Sequence, residues 1–136
     1  MTSPEEANTK VVREICQSLA DRNVDGIMAQ LDDDANWTIV GRPDRFRFGG
    51  KSDKAGSRAT LEGFLGGFSE FSFVVDSITA QDDRVAVRAT SQGKGPGGAV
   101  YQNNYLMLYR LENGKVIEAL EYFDPFEVLA YVEQMA

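Results

Sequence analysis

Apolar residues in the first 31 positions recur every three or four residues, the spacing that places them on one face of an α-helix. The first stripe comprises Ala7, Val11, Val12, Ile15 and Leu19. The second stripe follows Asn23, ends at the acidic run 32–34, and comprises Val24, Ile27, Met28 and Leu31. Ser3 and Glu6 have capping-box spacing, and Pro4 takes the first helical position. The pattern therefore predicts two helices, which we expect to pair as a hairpin.

The middle of the chain alternates between extended and helical patterns. Residues 35–41 read as a strand around Trp37 and Ile39, and residues 42–51 as a polar loop with three arginines, which is typical of a solvated surface. Over residues 53–68 the helical spacing returns in Leu61, Phe64, Leu65 and Phe68. Glycines weaken the helix propensity there but permit close packing, so we predict a third helix.

From residue 70 onward the apolar period changes from about 3.6 to 2, which indicates strands. Four are predicted, over residues 70–80, 84–94, 100–111 and 115–123. Turn residues at 82–83 and 112–114 favour antiparallel pairing of neighbours. The glycine-rich segment 93–98 is too poor in side chains to pack and is predicted to be a mobile loop. Asp124 and Pro125 open a final helix, with Asp124 as its cap.

Helices followed by a strand meander predict an α+β fold, with the helices on one face of a bent sheet and a cavity between them. A length of 136 residues with 43% hydrophobic residues is enough for one domain with its own core. The net charge of −7 disfavours binding to nucleic acid or to anionic membrane surfaces, and favours a neutral or cationic small molecule.

The chain contains no histidine and a single cysteine, Cys16. Catalysis by a Ser-His-Asp or Cys-His set and the ordinary zinc sites are therefore excluded. Any acid–base chemistry falls to Asp, Glu, Tyr, Lys or Cys, and no cofactor is expected. The start of the chain lacks the pattern of a signal peptide, and no apolar stretch approaches the roughly 20 residues of a membrane span. We expect a cytoplasmic protein.

The element order and two short motifs resemble a known superfamily. Residues 34–37 read Asp-Ala-Asn-Trp, and Asn-Gly-Lys-Val at 113–116 is followed by Glu-Tyr-Phe-Asp at 121–124. Over essentially the whole chain this resembles the SnoaL-like and ketosteroid-isomerase-like branch of the nuclear transport factor two-like superfamily. The resemblance implies a cone-shaped α+β barrel, in which a strongly curved mixed or antiparallel sheet wraps around the N-terminal helices and an internal pocket, plus a C-terminal helix. It implies one such domain over residues 1–136.

The same resemblance implies a homodimer formed through the curved sheet. Leu106 and Leu108 lie on the strand face opposite Tyr105 and are candidates for the interface.

The C-terminal motif also resembles that of limonene epoxide hydrolase. When the C-terminal hairpins are aligned in register, Glu121 occupies the position of one catalytic carboxylate of that enzyme, and Arg88 occupies that of its bridging arginine. Thr90 occupies the position of the second carboxylate. The general base of ketosteroid isomerase falls near Ile39 and its oxyanion-hole tyrosine near Ile15. These departures disfavour both epoxide hydrolysis and steroid isomerisation by the known chemistry.

Side-chain alternation along the strands assembles a candidate pocket. If Glu121 faces inward, Ile117, Ala119 and Phe123 share its side, and Arg88 and Thr90 share a face on another strand. The predicted ligand-binding residues are Trp37, Phe64, Leu65, Phe68, Thr90, Asn103, Tyr105, Met107 and Phe123. They describe an apolar chamber with a few polar groups, the usual composition of a small-molecule site.

Glu121 and Arg88 are the predicted catalytic residues. Glu121 would act as a general acid or base, Arg88 would tune it or bind an anionic group, and Tyr105 or Asn103 would polarise a carbonyl. The alternative is that Glu121 and Arg88 form a buried structural ion pair.

The leading hypothesis is a cofactor-independent isomerase, cyclase, dehydratase or hydrolase, or a binder, for a hydrophobic small molecule with a carbonyl, hydroxyl or epoxide group. A non-catalytic ligand-binding module and a dimeric interaction domain are the alternatives.

Overall fold

The computed structural model describes residues 2–136, and within them the chain forms helices and one sheet. The helices are α1 (Pro4–Ala20), α2 (Val24–Ala29), α3 (Lys54–Gly66) and α4 (Pro125–Glu133). The strands are β1 (Leu31–Ile39), β2 (Gly50–Asp53), β3 (Glu70–Gln81), β4 (Arg84–Lys94), β5 (Val100–Glu112) and β6 (Lys115–Phe123). A 3₁₀ turn, Pro96–Gly98, lies between β4 and β5. Residue 1, which the single-domain prediction includes, lies outside the described residues.

Each α-helix begins at a polar side chain that accepts a backbone N–H of its first turn. Ser3 accepts from the Glu6 N–H at 3.1 Å. Asn23, Asp53 and Asp124 do the same for α2, α3 and α4. These bonds satisfy donors that a helix start otherwise leaves unpaired. The predicted helix starts and the role of Asp124 as a cap are confirmed.

Two elements near the start of the sheet differ from the sequence prediction. Helix α2 ends at Ala29, and Leu31 opens β1, where it pairs with Val116 of β6. The acidic run 32–34 therefore belongs to a strand. The short strand β2 begins in the segment 42–51, which was predicted as a polar loop, and pairs with the end of β1, with Ile39 opposite Gly50. Neither strand segment has a periodic apolar pattern from which it could be predicted. Each forms because its backbone pairs with a neighbouring strand.

The sheet has the strand order β2-β1-β6-β5-β4-β3. Strands β3 to β6 form the predicted antiparallel meander, and β1 joins β6 in parallel, so the curved sheet is mixed. Strands β2 and β3 are its free edges, so the cone is open and not a closed barrel. Helix α1 packs on β3 and β4, α3 on β1 and β2, and α4 on β5. The predicted α+β cone with a strongly curved sheet is otherwise confirmed.

A bulge in β6 sets which of its side chains face inward. Val116 and Ala119 are both buried although they are three residues apart, and the register with β5 skips Ile117. Strict alternation would place two residues of such spacing on opposite faces. Ile117 is therefore not on the inner face, where it was predicted to lie. Ala119, Glu121 and Phe123 share that inner face.

The glycine-rich segment 93–98 is packed at two positions, contrary to the expectation that it cannot pack. A Cβ atom on Gly93 would lie 2.6 Å from the Phe68 ring, and one on Gly95 would lie 2.1 Å from the Tyr131 hydroxyl. Glycine is needed at both places because the ring of Tyr131 on α4 and the ring of Phe68, which follows α3, approach the backbone directly. These contacts belong to a second core cluster, formed by Phe46, Phe68, Ala99, Tyr101, Val128 and Tyr131.

Within residues 2–136, no helix is both long and apolar enough to cross a membrane.

Candidate functional site

Glu121 lies on the inner face of β6, with Ile39 of β1 and Met107 of β5 as its strand neighbours. Its Oε1 accepts a hydrogen bond from the Trp37 indole N–H at 2.9 Å. Burial raises the pKa of the Glu121 carboxyl from 4.5 to about 7, and the hydrogen bond from Trp37 opposes part of that rise. A carboxyl group with this pKa is present in both protonation states near neutral pH.

Two adjoining cavities meet at Glu121. The larger, of about 540 Å³, lies between α3, α4 and the inner face of β5 and β6, and the smaller, of about 300 Å³, lies between β1, α3 and the segment 47–52. Both are lined by Ile39, Phe48, Thr60, Leu61 and Glu121. Among the described residues, Glu121 is the only carboxylate that lines either cavity. The larger volume suits a small organic ligand.

The wall of the larger cavity is mainly aromatic and aliphatic. Phe64, Tyr105 and Phe123 line it, as predicted, and Trp37 lines the smaller cavity. Tyr101, which shares the strand face of Tyr105, lines the larger cavity as well.

Two tyrosines of this wall belong to a chain of buried hydroxyl groups. The hydroxyl oxygens of Tyr101 and Tyr105 are 2.8 Å apart, and that of Tyr105 is 3.0 Å from Ser91 Oγ. The Asn103 side-chain amide donates to Tyr101 Oη at 2.9 Å. Burial raises the pKa of Tyr101 to about 12 and raises that of Tyr105 above its usual range, so both hydroxyls stay protonated.

The orientation of Asn103 follows from its backbone partners. Its Oδ1 accepts the N–H groups of Asp124 at 3.0 Å and Asn104 at 2.8 Å, so its amide nitrogen must be the atom that faces Tyr101. Tyr101 Oη thus accepts one hydrogen bond from Asn103. If Ser91 donates to Tyr105 and Tyr105 donates to Tyr101, the Tyr101 hydroxyl proton has no acceptor among the described residues.

Arg88 and Thr90 lie on the outer face of the sheet, away from Glu121. Arg88 is exposed and pairs across the ladder with Leu106, whereas its neighbours Val87 and Ala89 are fully buried. The placement of Arg88 beside Glu121 is therefore wrong, both as a catalytic arrangement and as a structural ion pair. Thr90, two residues further along, shares the outer face and does not line the site.

Four other predicted ligand-binding residues lie behind the cavity wall. Leu65 and Met107 are each 2% exposed and belong to the main core, and Phe68 stacks on Tyr131 in the second cluster. Asn103 is buried and reaches a ligand only through Tyr101. None of the four lines either cavity within the described residues, so the structure does not bring them to the cavity surface.

Sequence reasoning missed several lining residues. Helix α4 contributes Val128, Tyr131 and Val132 to the larger cavity, and the segment before β2 contributes Arg47 and Phe48. The apolar stripe of α4 was visible in the sequence, but it did not indicate which surface the helix covers.

Several solved structures share this fold. A protein of unknown function from Burkholderia pseudomallei, described as NTF2-like, has a TM-score of 0.80 at 21% identity, with 93% of this chain and 97% of that one covered. AclR, a putative hydroxylase from Streptomyces galilaeus, has a TM-score of 0.78 at 20% identity, with coverages of 95% and 97%. IdmH, a putative polyketide cyclase from Streptomyces antibioticus, has a TM-score of 0.75 at 17% identity, with coverages of 93% and 98%.

The sequence itself carries the family assignment. No curated protein matches the chain by sequence. The model of the SnoaL-like domain matches residues 12–119, which include the second half of α1, the whole of β5 and most of the sheet. The resemblance noted from the motifs at 34–37 and 121–124 is thus confirmed. This match over most of the chain shows that the protein belongs to the SnoaL-like domain family.

Proposed function

We propose that the protein is an enzyme that acts on a hydrophobic small molecule with a carbonyl group, and that Glu121 is its general base and acid. The observation that carries this proposal is a single partly buried carboxyl group, with a pKa raised to about 7, on the wall of an otherwise apolar cavity. General acid–base catalysis is most effective when the pKa of the group lies near the working pH.

The arrangement suits proton transfer at a carbon atom next to a carbonyl. The Glu121 carboxylate takes a proton from that carbon, the C–H electron pair forms a carbon–carbon double bond, and the carbonyl oxygen takes the negative charge as an enolate. The Tyr101 hydroxyl donates a hydrogen bond to that oxygen. Protonated Glu121 then returns the proton to another carbon in an isomerisation. In a cyclisation, the enolate carbon attacks a second carbonyl and Glu121 protonates the resulting alkoxide.

One description among the similar structures agrees with this chemistry, because IdmH is a putative polyketide cyclase. At 17% identity that likeness extends to the fold alone. The case therefore rests on Glu121 and its surroundings. The mechanism implied by the epoxide hydrolase resemblance needs two carboxylates in the site. Within the described residues, only one carboxylate lines the cavities.

Exchange of carbon-bound protons for deuterium tests the proposal without the natural substrate. The protein would be incubated in D₂O with bicyclic ketones such as α-tetralone and α-decalone, and exchange at the carbon next to the carbonyl followed by NMR. We expect exchange faster than in buffer with a ketone that binds. Ketones that bind but exchange no faster than in buffer would contradict the enzyme proposal and favour a non-catalytic ligand-binding module.

We further propose that the protein forms a homodimer through the outer face of the sheet. Helices cover the inner face, while the outer face presents Leu106, which is 53% exposed, beside Tyr122, which is 45% exposed. Leu108, the second interface residue predicted from the sequence, lies on the same outer face two residues further along β5. Large apolar side chains that cluster on an uncovered sheet are typical of an interface.

Leu106→Lys is expected to convert the dimer to a monomer, because it places a charge in the centre of the apolar face. Light scattering at micromolar concentration should give twice the chain mass of 15.0 kDa for the parent protein and that mass for the variant. The control is Phe126→Lys, which makes the same kind of change at a residue that is 76% exposed on α4. A parent protein of 15.0 kDa in solution would contradict the dimer.

A further inference from the structure

The segment 42–51 is strongly basic in an otherwise acidic chain. It contains four basic residues and one acidic residue, whereas the remaining chain contains ten basic and twenty acidic ones. Arg42 is paired with Asp44, with Nη2 and Oδ2 2.6 Å apart. Among the described residues, Arg45, Arg47 and Lys51 make no salt bridge. Three positive charges are therefore left without an intramolecular counter-charge.

Packing holds this segment in a defined shape. Phe46 is buried in the second core cluster, with its ring 5.9 Å from the ring of Phe123, and its backbone N–H donates to the Arg42 carbonyl at 2.8 Å. Gly49 approaches Gly41 so closely that a Cβ atom on it would lie 2.5 Å from the Gly41 carbonyl oxygen. The residues between these anchors are thus placed by the core, and Arg47 follows directly after the buried ring.

Two of the three cations line the cavity that ends at Glu121. Arg47 and Lys51 line the smaller cavity, and Arg45 lines neither cavity. The Arg47 guanidinium carbon lies 4.7 Å from the centre of the Phe48 ring, which lines both cavities. This cation–π contact orients the guanidinium at the opening of the smaller cavity.

We propose that Arg47 and Lys51 bind an anionic oxygen group of the substrate, of which a carboxylate is the simplest example. The hydrophobic body of the substrate then lies in the larger cavity, and the atoms between the two ends lie beside Glu121. This inference rests on the proposed function because it treats the two cavities as one substrate site. It names the substrate class as a hydrophobic small acid.

Charge distribution explains why such a ligand would bind at this place. A guanidinium and an ammonium group form charge-assisted hydrogen bonds with a carboxylate, and these are stronger than neutral ones. The rest of the acidic chain repels an anion, so the basic segment directs it toward this opening. The net charge of −7, which favoured a neutral or cationic ligand, does not describe the local field at the cavity.

The test compares cyclohexylbutanoate with its neutral amide, cyclohexylbutanamide. Binding is followed by calorimetry and by the emission of Trp37, the only tryptophan and a lining residue of the smaller cavity. We expect the acid to bind roughly tenfold more tightly than the amide at low salt. The double variant Arg47→Gln/Lys51→Gln should lose this preference by weakening acid binding alone.

The double variant Arg45→Gln/Arg88→Gln is the matched control, since it removes two unpaired cations that lie outside the cavities. It should keep the preference for the acid. Equal affinity for acid and amide in the parent protein, including no measurable binding of either, would overturn the inference. So would an equal loss of preference in the two double variants. Glu121→Gln should retain the preference even if that variant shows that Glu121 has no catalytic role, so the two proposals fail separately.

Discussion

Glu121→Gln is expected to slow ketone proton exchange by about 10²–10⁴-fold, the usual contribution of a positioned general base. Glutamine keeps the size of the side chain, and its amide oxygen still accepts the Trp37 N–H, which lies 2.9 Å from Glu121 Oε1. It has no basic group that can take a proton. The measurement is the exchange rate by NMR in D₂O, with circular dichroism to show that the fold is retained.

Arg88→Gln is the control for this experiment and should leave the exchange rate within about twofold, because surface substitutions away from a site are nearly neutral. The two residues would act together if the hydrolase-like arrangement held, whereas Arg88 is exposed on the outer face. An active Glu121→Gln variant would remove Glu121 from the mechanism. A large loss in Arg88→Gln would contradict the strand register on which the site depends.

The second large effect concerns the pH dependence of folding stability. The pKa of Glu121 rises from 4.5 to about 7 in the folded protein, so folding favours the protonated form. The stability that this group contributes is present at low pH and is lost as the pH rises through about 7. Linkage gives a loss of up to about 2 kcal/mol between roughly pH 5.5 and pH 8.

The parent protein should therefore lose up to about 2 kcal/mol relative to Glu121→Gln over this interval, since glutamine does not titrate. Urea unfolding of both proteins at the two pH values measures the difference, and the effects of all other carboxyl groups cancel. Glu133→Gln, at an exposed position near the end of α4, is the control and should show no such trend. A parent protein that gains stability relative to Glu121→Gln as the pH rises would contradict a raised pKa.

Arg88 was predicted on the wrong face of β4, and the reason can be identified. The alternation in β4 was assigned correctly, since Arg88 and Thr90 do share a face, but the inner face was chosen from the hydrolase resemblance. The residues themselves indicated the opposite choice, because Val85, Val87 and Ala89 are the apolar set. In the structure they face β5 partners of the same inner side, with Val87 opposite Met107. Apolar alternation was the better guide in this strand.

The raised pKa of Glu121 and its contact with Trp37 could not be derived from either segment alone. The two residues are 84 positions apart in the chain and meet because β1 joins β6 in parallel. The inward orientation of the Glu121 side chain also depends on the bulge at Ile117. No local sequence pattern indicates that bulge. The prediction that residue 121 faces inward was correct, but its partner is an indole N–H and not a guanidinium.

The sequence by itself determined the features that depend on neighbouring residues. Helix starts follow from caps that act over two or three positions, and the strands β3 to β6 follow from a period of two; both were predicted from the residues alone. The tertiary structure decided which face of each strand is inner, that α4 covers the larger cavity, and that Phe46 brings Arg47 to the opening of the smaller one. These features depend on packing between segments far apart in the chain, and that packing determines the burial and charge around Glu121.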